Sequence, residues 1–221
     1  KITSKNFKLF RKFKNLIISH NLPKNLKLDL VIISTNSRER YIVIREILDH
    51  NKVKNIFLEK FIFTNIKNFN LFKKQVKKNK IQNIFVNTWG DYVIRNFKII
   101  NLLRKENNLR LTLDFNKGDM LTNLIHYFDM LDCIIKEKKF YLINKDIKII
   151  RAKRKGYNEI KGNLTIRLGT NIISLNSKSK KKFTTMKIEG NNLNYLIEID
   201  NLGYCNLYKK KKIIKKIPFP L

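Results

Sequence analysis

Up to about residue 105, short apolar runs rich in β-branched residues alternate with stretches of helical period; after that the alternation stops. Asp29-Leu-Val-Ile-Ile-Ser-Thr35 is the first run and reads as a strand buried on both faces of a parallel sheet. Tyr41, Ile44, Ile47 and Leu48 then fall at helical spacing, with Arg38, Glu39, Arg45 and Glu46 on other faces. This predicts a helix over 37–50 with Ser37 as its N-cap. Ile56-Phe57-Leu58 is a second strand, stopping at Glu59-Lys60. Residues 66–78 read as helix, with Phe69, Phe72 and Val76 as the apolar stripe. Ile84-Phe85-Val86-Asn87 is a third strand, and one helix is expected over about 92–105 from Val93, Phe97, Ile100 and Leu103. Strands joined by helices of this length imply βαβ units with right-handed crossovers.

The second pattern starts at Leu109. Residues 109–115 alternate apolar and polar as a half-buried strand does, and a helix is expected over about 119–136. Strands are then expected at 147–154, 158–168, 171–176, 183–190, 193–200, 203–209 and 212–217. Turn signals separate them at Lys155-Gly156, Gly190-Asn191-Asn192 and Asn201-Leu202-Gly203. The lysine-rich stretches 178–182 and 209–212 fit hairpin tips. The expected fold class is α/β plus α+β: a partial Rossmann-like parallel sheet, then a mostly antiparallel sheet carrying helix on one face. The boundary is expected near 105–110, dividing the chain into 1–107 and 108–221.

At 221 residues and 43% hydrophobic, the chain can bury a substantial core. Its 48 Lys+Arg against 17 Asp+Glu give a net charge of +31, which attracts polyanions of any kind. Lys, Asn, Ile and Phe are all abundant while Ala, Gly and Pro are scarce, the result an AT-rich coding sequence gives at tolerant surface positions. The lysines also run the whole length of the chain without a recognisable nucleic-acid-binding motif. No specific nucleic-acid partner is therefore expected, and a basic nucleic-acid-binding protein is kept as a lesser alternative. No apolar run approaches the roughly 18 residues of a membrane span, so no membrane partner is expected. The first residues lack a signal-peptide pattern, and Cys133 and Cys205 are too few for a disulfide framework; a cytoplasmic setting is expected. His20, His50, His126, Cys133 and Cys205 show no ligand cluster, so no metal is expected, and there is no Gly-x-Ser-x-Gly elbow or Walker loop. Cys133 follows a helical apolar pattern and reads as a buried thiol.

In an open α/β sheet, ligands bind beyond the carboxyl ends of the strands. Ser34, Thr35 and Asn36 leave the first such end, Glu59 and Lys60 the second, and Asn87 the third, so all six are candidates to line one crevice. A lysine partly desolvated at such a place has its pKa lowered toward neutrality and suits a proton acceptor. The plainer reading of Lys60 is one more surface lysine.

Four segments, in order, carry a family resemblance. They are the strand 29–35 with its loop Asn36-Ser37-Arg38-Glu39-Arg40; Phe57-Leu58-Glu59-Lys60; Phe85-Val86-Asn87; and Gly118-Asp119-Met120-Leu121-Thr122-Asn123-Leu124-Ile125-His126-Tyr127-Phe128-Asp129. Together they resemble the Thr-Pro-x-x-x-His loop, the Glu-Lys-Pro motif, the following strand end and the His-bearing helix of Gfo/Idh/MocA-type NAD(P)-dependent oxidoreductases. Gly156-Tyr157-Asn158-Glu159-Ile160 is similar to a strand start in that family's substrate domain.

The resemblance implies hydride transfer between NAD or NADP and a sugar, sugar nucleotide or polyol-like hydroxyl. It implies Lys60 and His126 as catalytic residues, with Lys60, Thr122, Asn123, His126 and Asp129 on the substrate. It implies Ser34, Thr35, Asn36, Glu59, Lys60 and Asn87 on the cofactor, and a homo-oligomer through the C-terminal sheet. Read without it, His126 is a core histidine satisfied by a backbone carbonyl, and Asp129 serves as well for a cap or salt bridge.

Departures from the pattern are Asn36 for the loop proline, Arg40 for the loop histidine, Thr122 for a frequent aspartate, and Phe61 for the proline after Glu-Lys. Without that proline a cis bond is not expected, since a non-proline cis peptide costs about 3 kcal/mol. The first glycine of the sequence is Gly90, so the glycine-rich turn that meets a dinucleotide pyrophosphate does not precede the first strand. The chain is therefore expected to be a fragment lacking the first β-α-β segment, or else a degenerate, non-catalytic homologue.

Overall fold

Three strands pair in parallel in the order β1-β2-β3, in register from Lys27↔Lys52 to Ile33↔Leu58 and from Asn55↔Asn83 to Leu58↔Val86. The computed structural model describes residues 19, 21–116, 120–137, 139–152, 156–177, 183–199 and 203–219. Elements are numbered within them. The chain divides into two units, Lys1–Asn87 and Thr88–Leu221.

In the first unit, β1 (Lys27–Ile33) leads through α1 (Arg40–His50) to β2 (Lys52–Leu58), and α2 (Ile66–Lys78) leads to β3 (Asn83–Val86). Right-handed crossovers running the same way across a sheet put both helices on one face. Ile33, Ile56 and Leu58 accordingly pack with Ile44, Ile47, Leu48 and Phe72 in one core. The other face is open among the described residues, and Leu30 is 51% and Ile32 66% exposed. This corrects the expectation that the first strand is buried on both faces. α1 also starts later than expected. The turn before it is closed by Glu39 and Arg40 N–H groups on the Asn36 carbonyl, and Ser37 is buried in that turn rather than capping.

The second unit is built on an eight-stranded sheet, and its elements follow in chain order. α3 (Gly90–Phe97) and α4 (Ile100–Lys105) precede β4 (Arg110–Asp114) and α5 (Met120–Ile134). Then come β5 (Phe140–Arg151), β6 (Asn158–Leu168), β7 (Asn171–Asn176), β8 (Thr184–Glu189), β9 (Asn194–Ile199), β10 (Tyr204–Lys209) and β11 (Lys212–Pro218). The order across the sheet is β11-β10-β9-β8-β4-β7-β6-β5; β4 and β7 are parallel and the other pairs antiparallel. Leu111, Leu113, Ile173, Leu175, Met186 and Ile188 form the inner face, against Leu124, Tyr127, Met130, Leu131 and Ile134 of α5.

Three expectations change here. The single helix of 92–105 is two helices, because Lys98 takes a left-handed conformation (φ 61°) that ends α3. β5 begins at Phe140, ahead of the expected 147, because residues 140–146 pair with β6 across a bulge between Leu142 and Asn144. The units part between Asn87 and Thr88, ahead of the boundary expected at 107/108. The reason is that Val93, Ile94, Phe97, Ile99 and Leu103 of the α3–α4 region belong to the core of the second unit. The 209–212 tip is a turn with Lys210 and Lys211 both at positive φ, joining β10 to β11. The 178–182 tip, like Gly118 and Asp119 of the helix motif, lies outside the described residues.

Candidate functional site

The parallel register sets the carboxyl ends of β1, β2 and β3 side by side, and the six strand-end candidates are the residues that follow those ends. The Glu59 N–H donates to the Ile33 carbonyl (3.2 Å), and the Asn87 N–H to the Leu58 carbonyl (2.8 Å), so the ladder runs on past the last strand residues. Asn87 Nδ2 donates to Glu59 Oε1 at 2.6 Å, tying the second strand end to the third. Between them the Lys60 side chain is half-buried. Burial lowers the pKa of its ammonium, and the neighbouring Glu59 charge offsets part of that effect. Ser34 and Asn36 are exposed, and Thr35 is half-buried with its hydroxyl oxygen sealed from solvent.

Arg40 was read only as the residue replacing the loop histidine. It is among the largest fully buried side chains, 2% exposed. Its Nη1 donates to the carbonyls of Glu59, Phe61 and Ile62 (the last at 3.2 Å), and its Nη2 to the carbonyl of Thr35. One planar guanidinium thus binds the first strand-end loop to the second. The Lys60–Phe61 peptide is cis, a correction to the expectation drawn from the missing proline. The carbonyls on both sides of Lys60 turn to Arg40, a tether the proline argument left out.

In the second unit, His126 is 4% exposed on α5. Its Nδ1 accepts from the Trp89 N–H at 3.2 Å, which places the ring proton on Nε2. The Trp89 indole stacks on the imidazole, with ring centroids 4.6 Å apart and 19° between the planes. Tyr127 and Phe219 meet the same indole edge-on. Three residues along the helix, Asp129 Oδ2 accepts from the Asp91 N–H at 2.8 Å. His126 and Asp129 together therefore satisfy two N–H groups at the start of α3, one on each side of Gly90. His126 is thus a core histidine whose Nδ1 partner is a backbone N–H instead of the expected backbone carbonyl, while Asp129 is the cap its plainer reading offered. Cys133 Sγ donates to Asp91 Oδ1 at 2.8 Å; burial, then the Asp91 carboxylate, pushes the thiol up to about 12, so it carries no nucleophile. Asn123 is half-buried on α5.

Thr122 was expected beside substrate. Its hydroxyl instead donates to Glu159 Oε2 at 3.0 Å, and its N–H to the same oxygen at 3.2 Å. Glu159 Oε1 accepts from Leu121 N–H (2.6 Å) and Ile160 N–H (2.9 Å). Glu159 is 3% exposed, so a buried carboxylate from β6 caps the start of α5, where the helix dipole favours negative charge. The signal in the sequence was a lone glutamate opening an otherwise apolar-patterned strand, and nothing local says what it caps. Glu159→Ala is expected to lower the unfolding free energy by about 2–3 kcal/mol, by leaving helix N–H groups buried and unmet. Glu159→Gln, which keeps an acceptor oxygen, should lose less. Urea denaturation of the two variants checks this order.

No protein-family model and no curated protein matches the sequence. Solved structures do. A dehydrogenase (MviM) from Clostridium difficile matches with a TM-score of 0.61 at 12% identity, over 87% of this chain and 63% of its own length. A super-repressor mutant of Gal80p from Saccharomyces cerevisiae matches with a TM-score of 0.58 at 16% identity, over 86% of this chain and 60% of its own. An oxidoreductase from Bacillus cereus matches with a TM-score of 0.64 at 10% identity, over 99% and 74%. The chain thus spans less than two thirds of the length of the first two. The parallel three-stranded sheet and the large mixed sheet after it are the fold shared with these solved structures, and the fold that the resemblance to Gfo/Idh/MocA-type oxidoreductases implies.

Proposed function

We propose that this chain is part of an NAD(P)-dependent oxidoreductase that acts on a carbohydrate-like hydroxyl, with Lys60 as the proton acceptor. The carrying observation is the half-buried Lys60 ammonium at the carboxyl end of the middle strand, its pKa lowered by desolvation. Ligands of open α/β sheets bind beyond such ends. The described residues fit the polar, hydroxyl-bearing part of a dinucleotide. The exposed Ser34 and Asn36, the half-buried Lys60 and the Glu59–Asn87 pair offer polar partners to such a group at the strand ends. The sequence holds no glycine ahead of Gly90, so the strand-end loops offer no glycine-rich cradle for the pyrophosphate.

A bound nicotinamide cofactor supplies the hydride acceptor. Lys60 takes the hydroxyl proton as the amine and returns it as the ammonium in the reverse direction. Asn87 and Glu59, bonded to each other, fix the third strand end beside it. Incubating the complete protein with NAD+ or NADP+ and a panel of sugars, sugar nucleotides and polyols should give reduced cofactor, read by its absorbance. No turnover and no cofactor binding across the panel would overturn the proposal.

One observation favours a second reading, a non-catalytic homologue. Thr122, Asp129 and the His126 Nδ1, all on the helix expected to face substrate, are engaged within the protein as caps or cap partners. The same panel separates the two readings: the non-catalytic homologue predicts no reduced cofactor from any member.

A further inference from the structure

Lys60 sits in an irregular turn just past the end of β2, and the backbone of that turn converges on one buried side chain, Arg40. We infer that Arg40 is the positioning residue of that ammonium, holding the Lys60 turn against the end of β1 through its guanidinium. The inference rests on the reading of Lys60 as the proton acceptor and deepens it. Three acceptors come from the turn, the carbonyls of Glu59, Phe61 and Ile62, and so bracket Lys60 on both sides. The fourth, the Thr35 carbonyl, comes from the neighbouring strand-end loop.

The residue type follows from that arrangement. Backbone carbonyls on two loops need donors spread over a rigid plane and permanently charged, and among side chains only the guanidinium supplies both. A lysine brings three donors from one atom and lacks the two separated nitrogens that divide here between the turn and the Thr35 loop. A histidine, the residue of the resembled loop, brings two donors at most. Arg40 is carried on the first turn of α1, whose Ile44, Ile47 and Leu48 are locked in the core, so the fork is aimed from a rigid element. Glu59, whose charge acts on Lys60 against the effect of burial, lies in the same bracketed turn. Loss of the fork should let the turn relax toward solvent and Lys60 with it.

The test follows Lys60 itself, not turnover. Lysines of the full chain are labelled by reductive methylation with carbon-13, and Lys60→Arg assigns the signal. Lys60 is expected to titrate at lower pH than the surface lysines, and in Arg40→Lys to move up and merge with them while the fold persists by circular dichroism. A folded Arg40→Lys in which the Lys60 signal titrates as before would overturn the inference and leave Arg40 a merely structural residue. Should Arg40→Lys not fold, the unsubstituted chain decides. Arg40 Nη–H signals that shift with the Lys60 titration support the clamp, and signals indifferent to it overturn it. The two readings fail separately: a displaced Lys60 signal together with turnover that survives loss of Lys60 would remove the catalytic role and keep the clamp.

Discussion

Lys60→Met should lower kcat for hydroxyl oxidation by about 10²–10⁴-fold in the complete protein, the range that a positioned general base contributes. Methionine keeps the apolar stem and removes only the group that titrates, so the turn stays filled and KM should change little. Lys54→Met, on an exposed lysine of the same strand, serves as the comparison and should leave the rate as it is. The pH dependence adds an independent sign. Burial disfavours the ammonium, so the neutral amine is reached at lower pH than for an ordinary lysine. Oxidation therefore rises with pH as Lys60 loses its proton, and it does so at lower pH than an ordinary lysine would dictate. Carbonyl reduction, which needs the ammonium, falls over the same interval. A rate that climbs only where surface lysines titrate, or an unchanged kcat in Lys60→Met, would take the proton from Lys60 and give it to another group.

What the sequence disclosed and what it hid divide along a physical line. The periods of two and of helical spacing are local, so the segment 66–78 and the strands 158–168 and 171–176 were legible to the residue. The strand ends were legible for the same reason, since Glu59-Lys60 and Asn87 stop apolar runs. The hidden features are those decided by partners distant in sequence. Glu159 reaches α5 across dozens of residues, and Arg40 finds carbonyls on another strand's turn. Arg40 does not look unusual in its own neighbourhood, and Glu159 stands out only as an acidic residue opening a strand, with no sign of what it caps. The split of the 92–105 helix turned on Lys98, a residue with no glycine-like signature that nonetheless takes a left-handed conformation. The start of β5 is hidden by a distant partner too, since residues 140–146 are held as strand by β6, from Phe140↔Leu168 to Asp146↔Asn163. Thr122 and Asp129 were assigned to substrate by resemblance, while their contacts run to Glu159 and Asp91 within the second unit.

Gly90→Ala should be among the most destabilising substitutions available in the second unit, costing about 4 kcal/mol or more. A Cβ there would stand 2.0 Å from the His126 carbonyl oxygen, 2.5 Å from the Met130 nitrogen and 3.1 Å from Asp129 Oδ2. The first two are the acceptor and donor of one rung of α5, so relief requires either breaking that rung or parting α3 from α5. Overpacking against side chains costs about 1–3 kcal/mol, and backbone atoms yield less readily. The cap bonds from Trp89 to His126 and from Asp91 to Asp129 straddle the same residue, and each contributes about 1 kcal/mol that a forced separation would also remove. Intrinsic preference runs the other way, because alanine in a helix is favoured over glycine by about 1 kcal/mol; a large loss can therefore come only from the steric conflict. Gly203→Ala is the comparison. Gly203 has a positive φ of 82° and nothing within 4 Å of an added Cβ, so only a backbone cost of about 1–2 kcal/mol applies. Urea midpoints for the two variants should differ widely, with Gly90→Ala at or below the limit of folding. Equal midpoints would mean that α3 and α5 do not approach at Gly90, and that His126 and Asp129 are not the caps their distances describe.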